Sequence, residues 1–246
     1  DNTLRKRVKG ALMYPAVILT VLFGIGTLMM IYVVPALSQT LEELGTELPI
    51  TTRSIIAVSK FFVAYAVALP LIAAGVVVGF WRLLKIRRGK ELFDVVILKI
   101  PVFGQLIQKF NAARFCRTLS YLVMSGVPIV RSLDITASVL GNTLFEKAAK
   151  EAALGIQTGK QLHEILGSHP KVFRHIVIQM IQVGEETGKL SEMLMRLALF
   201  FEEDVANTTK NMSTLIEPLL MVVIGIAVGF FAIAMLQPIY GSLNNI

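Results

Sequence analysis

Three stretches of this chain are apolar and carry no charged residue: Ala11 to Pro35, Phe61 to Trp81 and Pro218 to Pro238. At ~1.5 Å per residue, each is long enough as a helix to cross a ~30 Å hydrocarbon core. The first exceeds the roughly 7–15 apolar residues of a signal-peptide core. The second carries Pro70 as an expected kink and ends on Trp81, at an interfacial anchor position. The third opens on Pro218, suited to a first helical position, with Glu217 at its threshold facing the positive end of the helix dipole. Between 101 and 213 the pattern changes, and apolar residues recur at helical spacing. Ile107, Phe110, Phe115, Leu119 and Leu122 mark one helix, and Leu190, Met193, Leu194, Leu197, Phe201 and Val205 another. Ser125-Gly126-Val127-Pro128, Gly141-Asn142, Gly159, Ser168-His169-Pro170 and Thr187-Gly188 punctuate the stretch, and Thr143 with Glu146 fits a capping box. Period-2 alternation and hairpin turns are missing. The expected fold is all-α: an integral membrane protein with three transmembrane helices and an antiparallel bundle of about six helices.

Charge orients these elements. The net charge of +7 is concentrated in two clusters beside apolar runs. Arg5, Lys6, Arg7 and Lys9 precede the first span, opposed only by Asp1; Arg82, Lys85, Arg87, Arg88 and Lys90 follow the second. From 91 onward, bases and acids balance. Lysine and arginine beside a span mark its cytoplasmic end and meet lipid headgroups, whereas a nucleic-acid binder carries a basic stripe on a folded face. The expected order is a cytoplasmic end at 1–10, a span at 11–35, a periplasmic loop at 36–60 and a span at 61–81. A basic connector at 82–100, a cytoplasmic bundle at 101–213, a span at 214–238 and a periplasmic tail at 239–246 complete it. The hydrophobic share of 54% exceeds the about 45–50% usual for soluble domains, and the three runs account for the excess.

An internal repeat runs at an offset of 203 residues, pairing Pro15 with Pro218, Gly26 with Gly229, Pro35 with Pro238 and Arg7 with Lys210. Equivalent first and third spans predict a preceding bundle like 101–213, so the chain, which opens on Asp1, reads as part of a longer protein. Gly225 and Gly229 form a small-xxx-small spacing suited to close helix packing, with Pro15, Gly26 and Pro218 marking the same spans.

Little in the sequence carries chemistry. His163, His169 and His175 are spaced so that they do not share a helical face, and Cys116 is the single cysteine. Gly184-Glu185-Glu186-Thr187-Gly188-Lys189 lacks the spacing of a phosphate-binding loop. No catalytic residue, cofactor or metal site is expected. Spans free of Asp, Glu, Lys, Arg and His argue against ion or proton transport, which leaves a transporter or channel component as the weaker alternative. Gly184, Glu185, Glu186, Gly188 and Lys189 are expected to shape a partner-contact loop, with Glu217 a further candidate contact.

Several motifs together resemble one family. They are Ala11-Leu12-Met13-Tyr14-Pro15, Leu48-Pro49-Ile50-Thr51-Thr52-Arg53, Ile100-Pro101-Val102-Phe103-Gly104, Ala113-Arg114-Phe115-Cys116-Arg117, Ser125-Gly126-Val127-Pro128, Val183 to Leu190 and Glu217-Pro218-Leu219-Leu220. In this order along the whole chain they resemble the platform proteins of type IV pilus assembly and type II secretion, the PilC/GspF or secretion-system F family. That resemblance implies a multi-pass protein of the inner membrane with its bundle in the cytoplasm and no enzymatic activity. It implies homo-oligomers, contact with a cytoplasmic hexameric assembly ATPase, with other inner-membrane assembly proteins and with membrane lipids. It also implies guidance of pilins or pseudopilins out of the membrane. Nucleic acid is not an implied partner. One departure is Gln161-Leu162, where the family often has Ser-Leu after Gly159, which predicts a weaker helix cap there.

Overall fold

The computed structural model describes residues 2–43, 49–66, 68–101 and 103–243. The centre of the expected loop with Glu47, the last three residues of the tail, and the side chains of Arg5 and Arg7 lie outside the described set. Every regular element among the described residues is helical. The order is α1 (Asn2–Leu28), a π-helical turn (Met29–Val33), α2 (Val34–Glu43), α3 (Ile50–Ala64), α4 (Ala68–Lys85) and α5 (Arg87–Lys99). There follow α6 (Phe103–Met124), α7 (Ile129–Val139), α8 (Thr143–Gln157), α9 (Leu162–Gly167), α10 (His175–Glu186) and α11 (Leu190–Leu243). Two compact units result, one of Asp1–Lys9 with Trp81–Asn211, the other of Gly10–Phe80 with Met212–Ile246.

The first unit is a bundle whose apolar stripes meet in one core. On α6, Phe115 and Leu119 are fully buried and Ile107, Phe110 and Leu122 half-buried. On α11, Leu194, Leu197, Phe201 and Val205 are buried. Phe173, from the segment before α10, stacks against Phe115 at 4.9 Å and Phe145 at 5.2 Å between ring centroids. Each such ring contributes roughly 1.5–3 kcal/mol through burial alone. α8 turns Ala148, Ala149, Ala152 and Ala153 inward, and these small side chains let α7 and α9 approach closely. α5 packs on α6 and α8, so part of the expected basic connector belongs to the bundle.

Four local expectations change. Asn142, not Thr143, caps α8: its extended backbone places its side-chain oxygen to accept from the Leu144 amide at 3.0 Å. The Thr143 amide is met by the buried Asp94 carboxylate at 2.7 Å, and Glu146 pairs with Lys150 instead of reaching back. Pro218 does not open a helix; it lies inside α11, with Glu217 exposed beside it. Much of 36–60 is helical, in α2 and α3. A break also separates α3, which ends at Ala64, from α4, one turn before Pro70. A proline ring clashes with the carbonyl four residues back, so the helix is interrupted there while Pro70 itself sits in the first turn of α4.

The second unit holds apolar stretches long enough to cross a membrane: Met13–Thr40, Ala68–Lys85 and the apolar part of α11. They leave large side chains such as Phe23, Val77 and Ile226 more than half exposed, a surface suited to lipid rather than water. Val34, Ile55, Ile56, Ala234 and Met235 bury one another, with Met30 and Phe231 against them. Two hydroxyls of α3 solve a backbone problem in this cluster. Pro238 has no N–H for the Ala234 carbonyl four residues back, and Thr52 Oγ1 donates to that carbonyl at 2.5 Å. The π-helical turn bonds the Val34 amide to the Met29 carbonyl. In that register the Met30 carbonyl would accept from Pro35, which has no N–H, and Ser59 Oγ donates to it at 2.5 Å. Pro35 and Pro238 are the repeat-related pair, and each is answered from one face of α3, seven residues apart. An unmet carbonyl in an apolar setting is costly. Thr52→Val is expected to lower the stability of the detergent-solubilised chain by about 1–2 kcal/mol, with Thr52→Ser retaining most of it. A loss in Thr52→Ser with none in Thr52→Val, read from thermal unfolding, would assign the effect to the methyl group instead.

Candidate functional site

The sharpest sequence motif folds into a corner where α9, α10 and the start of α11 meet. α10 ends at Glu186, and Gly188 adopts φ +70°, a left-handed conformation that lets the chain reverse into α11. Gly184 is buried at the closest approach. A Cβ placed there would lie 2.9 Å from Leu190 Cα and 3.3 Å from Met193 Cβ, so only glycine lets α10 and α11 touch as they do.

The two adjacent acids point to different tasks. Glu185 is half-buried; its carboxylate accepts from the Leu162 amide at 2.7 Å and the His163 amide at 3.1 Å, and lies 2.7 Å from His163 Nδ1. It thus caps α9 from across the fold, where a carboxylate also meets the positive end of the helix dipole. The cap expected to be weak at Gln161 is reinforced by this contact, and Glu164 adds a longer bond to the Gln161 amide at 3.4 Å. Glu186 is exposed and accepts from Gln182 at 2.9 Å, while Lys189 is exposed at the turn. Glu186, Gly188 and Lys189 form the accessible rim, and Gly184 and Glu185 support it from inside.

α11 is held onto α6 by polar contacts that periodicity does not reveal. Arg117 makes a two-pronged ion pair with Glu202, one prong through Nε and the other through Nη2 at 2.6 Å. The hydrogen bond to Glu202, aided by its charge, holds the guanidinium still more firmly protonated than usual, despite partial burial. Lys109 Nζ contacts Asp204 at 2.9 Å and Thr208 at 3.1 Å, and Ser120 donates to the Ser191 carbonyl at 2.7 Å. The only hint in the sequence is that bases recur two turns apart on α6 and acids two residues apart on α11.

The remaining candidates are dispersed. Lys6 and Lys9 are exposed on α1, Arg82 and Lys85 close α4, and Arg87, Arg88 and Lys90 open α5. Pro15 is buried within α1. At Gly26, Gly225 and Gly229 an added Cβ would meet nothing within 4 Å among the described residues. Cys116 is fully buried, which pushes its thiol pKa far above the ordinary value. Among the described residues, no three His, Cys, Asp or Glu side chains are grouped to hold a metal ion.

Comparison with known proteins gives a consistent result. The family described as type II secretion system (T2SS), protein F matches residues 115–238. The type IV pilus assembly protein PilC of Thermus thermophilus is 37% identical over 243 residues, covering 99% of this chain and 60% of that protein. The PilC protein of Pseudomonas aeruginosa is 34% identical over 246 residues, covering all of this chain and 65% of that protein. The type II secretion system protein F of the same organism is 33% identical over 245 residues, covering 98% of this chain and 59% of that one. The chain therefore spans roughly three-fifths of the length of these relatives.

Proposed function

The chain belongs to the type II secretion system protein F family of membrane proteins, and on that premise we propose that it is a non-enzymatic platform of the inner membrane, coupling a cytoplasmic assembly ATPase to the extraction and polymerisation of pilins or pseudopilins. The observation that carries this reading is α11. It begins at the corner bearing Lys189, is tied to α6 through Glu202 and Asp204, and continues without a break into an apolar stretch fit to cross a membrane. A push received on the rim has an uninterrupted helix along which to pass. The spans hold no Asp, Glu, Lys, Arg or His from which to build a conducting path. In this reading the bundle lies in the cytoplasm, where nucleotide energy is available, the chain works as a homo-oligomer, and the Gly26, Gly225 and Gly229 surfaces receive neighbouring helices.

The rim is tested directly by photocrosslinking. A photoreactive residue at Glu186 or Lys189, in cells assembling filaments, is expected to form an adduct with the assembly ATPase. The same residue at buried Leu133 is expected to form none. Adducts from Leu133 alone, or none from either rim position in assembling cells, would take the motor contact away from this corner.

A further inference from the structure

We infer that the bundle carries a headgroup-binding cleft for an anionic phospholipid, built between α5 and α8. The cleft has a volume of about 660 Å³. Lys85, Lys90, Lys147 and Lys150 line it, so bases from the end of α4 and the start of α5 meet bases more than fifty residues distant in sequence. Its carboxylates are already engaged: Glu91 with Arg87 at 3.4 Å and Glu146 with Lys150 at 2.6 Å within their own helices, and Glu151 with His169, from the segment after α9, at 2.8 Å and with Lys147 at 4.0 Å. Lys85 and Lys90 have no carboxylate within ion-pair distance among the described residues, so the cleft keeps a positive excess. Val95, Leu144 and Leu154 give it an apolar wall, and Leu154 is 63% exposed.

Three observations select a lipid as the occupant. Lys85 is the last residue of α4, a helix apolar enough to cross a membrane, so the cleft begins where a bilayer surface lies. Lys85 Nζ stands 3.7 Å from the centre of the Trp81 ring, the pairing of aromatic and cation expected at headgroup depth. Lysines beside apolar side chains match a phosphodiester joined to its glycerol and the first methylenes of an acyl chain, with the lysine stems lying along the apolar wall. The inference rests on the membrane placement of α4 and not on the identity of the motor.

Trp81 is the single tryptophan, so its fluorescence reports this location alone. The full chain is placed in nanodiscs of phosphatidylcholine and phosphatidylglycerol, with bromine on the acyl chains of one lipid or the other. Brominated phosphatidylglycerol is expected to quench Trp81 with a relative affinity about threefold to fivefold above that of brominated phosphatidylcholine. The double variant Lys147→Gln, Lys150→Gln is expected to bring the ratio near unity, while Lys171→Gln leaves it unchanged. Failure of Cys116 to react with a thiol dye verifies that each variant keeps its bundle. A folded double variant that retains the full preference would overturn the inference. So would its loss in Arg82→Gln, Arg88→Gln alone, because a simple basic flank would then suffice. Saturable abolition of the preference by inorganic phosphate would assign the cleft to a free anion. Quenching by neither lipid would overturn both the inference and the placement of α4; normal photocrosslinking in that case would leave the motor contact standing.

Discussion

Filament assembly is expected to fall by more than tenfold when a short glycine segment is inserted after Lys210, with membrane insertion and bundle folding intact. Lys210 lies next to the boundary between the two compact units, inside the 54-residue helix α11. Glycine is about 1 kcal/mol per residue less favourable than alanine in a helix, so several in succession break the helical path between the units. The polar ties of Glu202 and Asp204 to α6 lie before the insertion and survive it. The Thr52 bond to the Ala234 carbonyl lies after it and also survives. Folding and insertion therefore persist while transmission is lost. An alanine insert of two helical turns lengthens the helix yet returns each face to its former direction, and it is expected to retain assembly. Surface filament yield, with buried Cys116 as the folding control, separates the outcomes. Normal yield with the glycine insert would show that force does not travel along α11.

The second large effect is on stability. Glu185→Ala is expected to destabilise the bundle by about 3 kcal/mol, because it removes the acceptor of two amide hydrogen bonds and the partner of His163 together. Bonds to a charged group are worth about 1.5–3 kcal/mol each, and partial solvent access to the vacated amides keeps the total below their sum. Glu185→Gln keeps one acceptor oxygen and is expected to lose about half as much. Cys116 supplies the readout, since a thiol dye reacts with it only once the bundle opens. An unchanged labelling midpoint in Glu185→Ala would show that α9 holds its place without this cap. Glu186→Ala, at the exposed rim, gives the contrast: it should leave the midpoint unchanged, because its one side-chain bond, from Gln182, is at the surface.

These two acids show how far a linear reading reaches. Adjacent in sequence, Glu185 and Glu186 have the same chemistry and the same neighbours, and both were expected to meet a partner. Which of them turns inward depends on where the N-terminus of α9 sits, over twenty residues away. The glycines were easier to interpret, because Gly188 stands at a helix end where a left-handed residue is required. The buried contact of Gly184 needed the position of Leu190. The prolines divide in the same way. Pro35 and Pro238 were visible as a repeated pair, yet the hydroxyls of Thr52 and Ser59 that meet the carbonyls they strand came from a segment expected to be loop.

Hydrophobic periodicity, charge runs and the repeat were sufficient to establish a helical membrane protein with a helical bundle, because those features depend on the solvent each residue faces and on spacing along one helix. The pairing of Arg117 with Glu202, the capping of α9 by Glu185, and the meeting of lysines from α4, α5 and α8 were decided only in three dimensions. Each is a short-range polar contact between helices distant in sequence, and such contacts depend on the rotation and offset of one helix against another, which no single helix encodes.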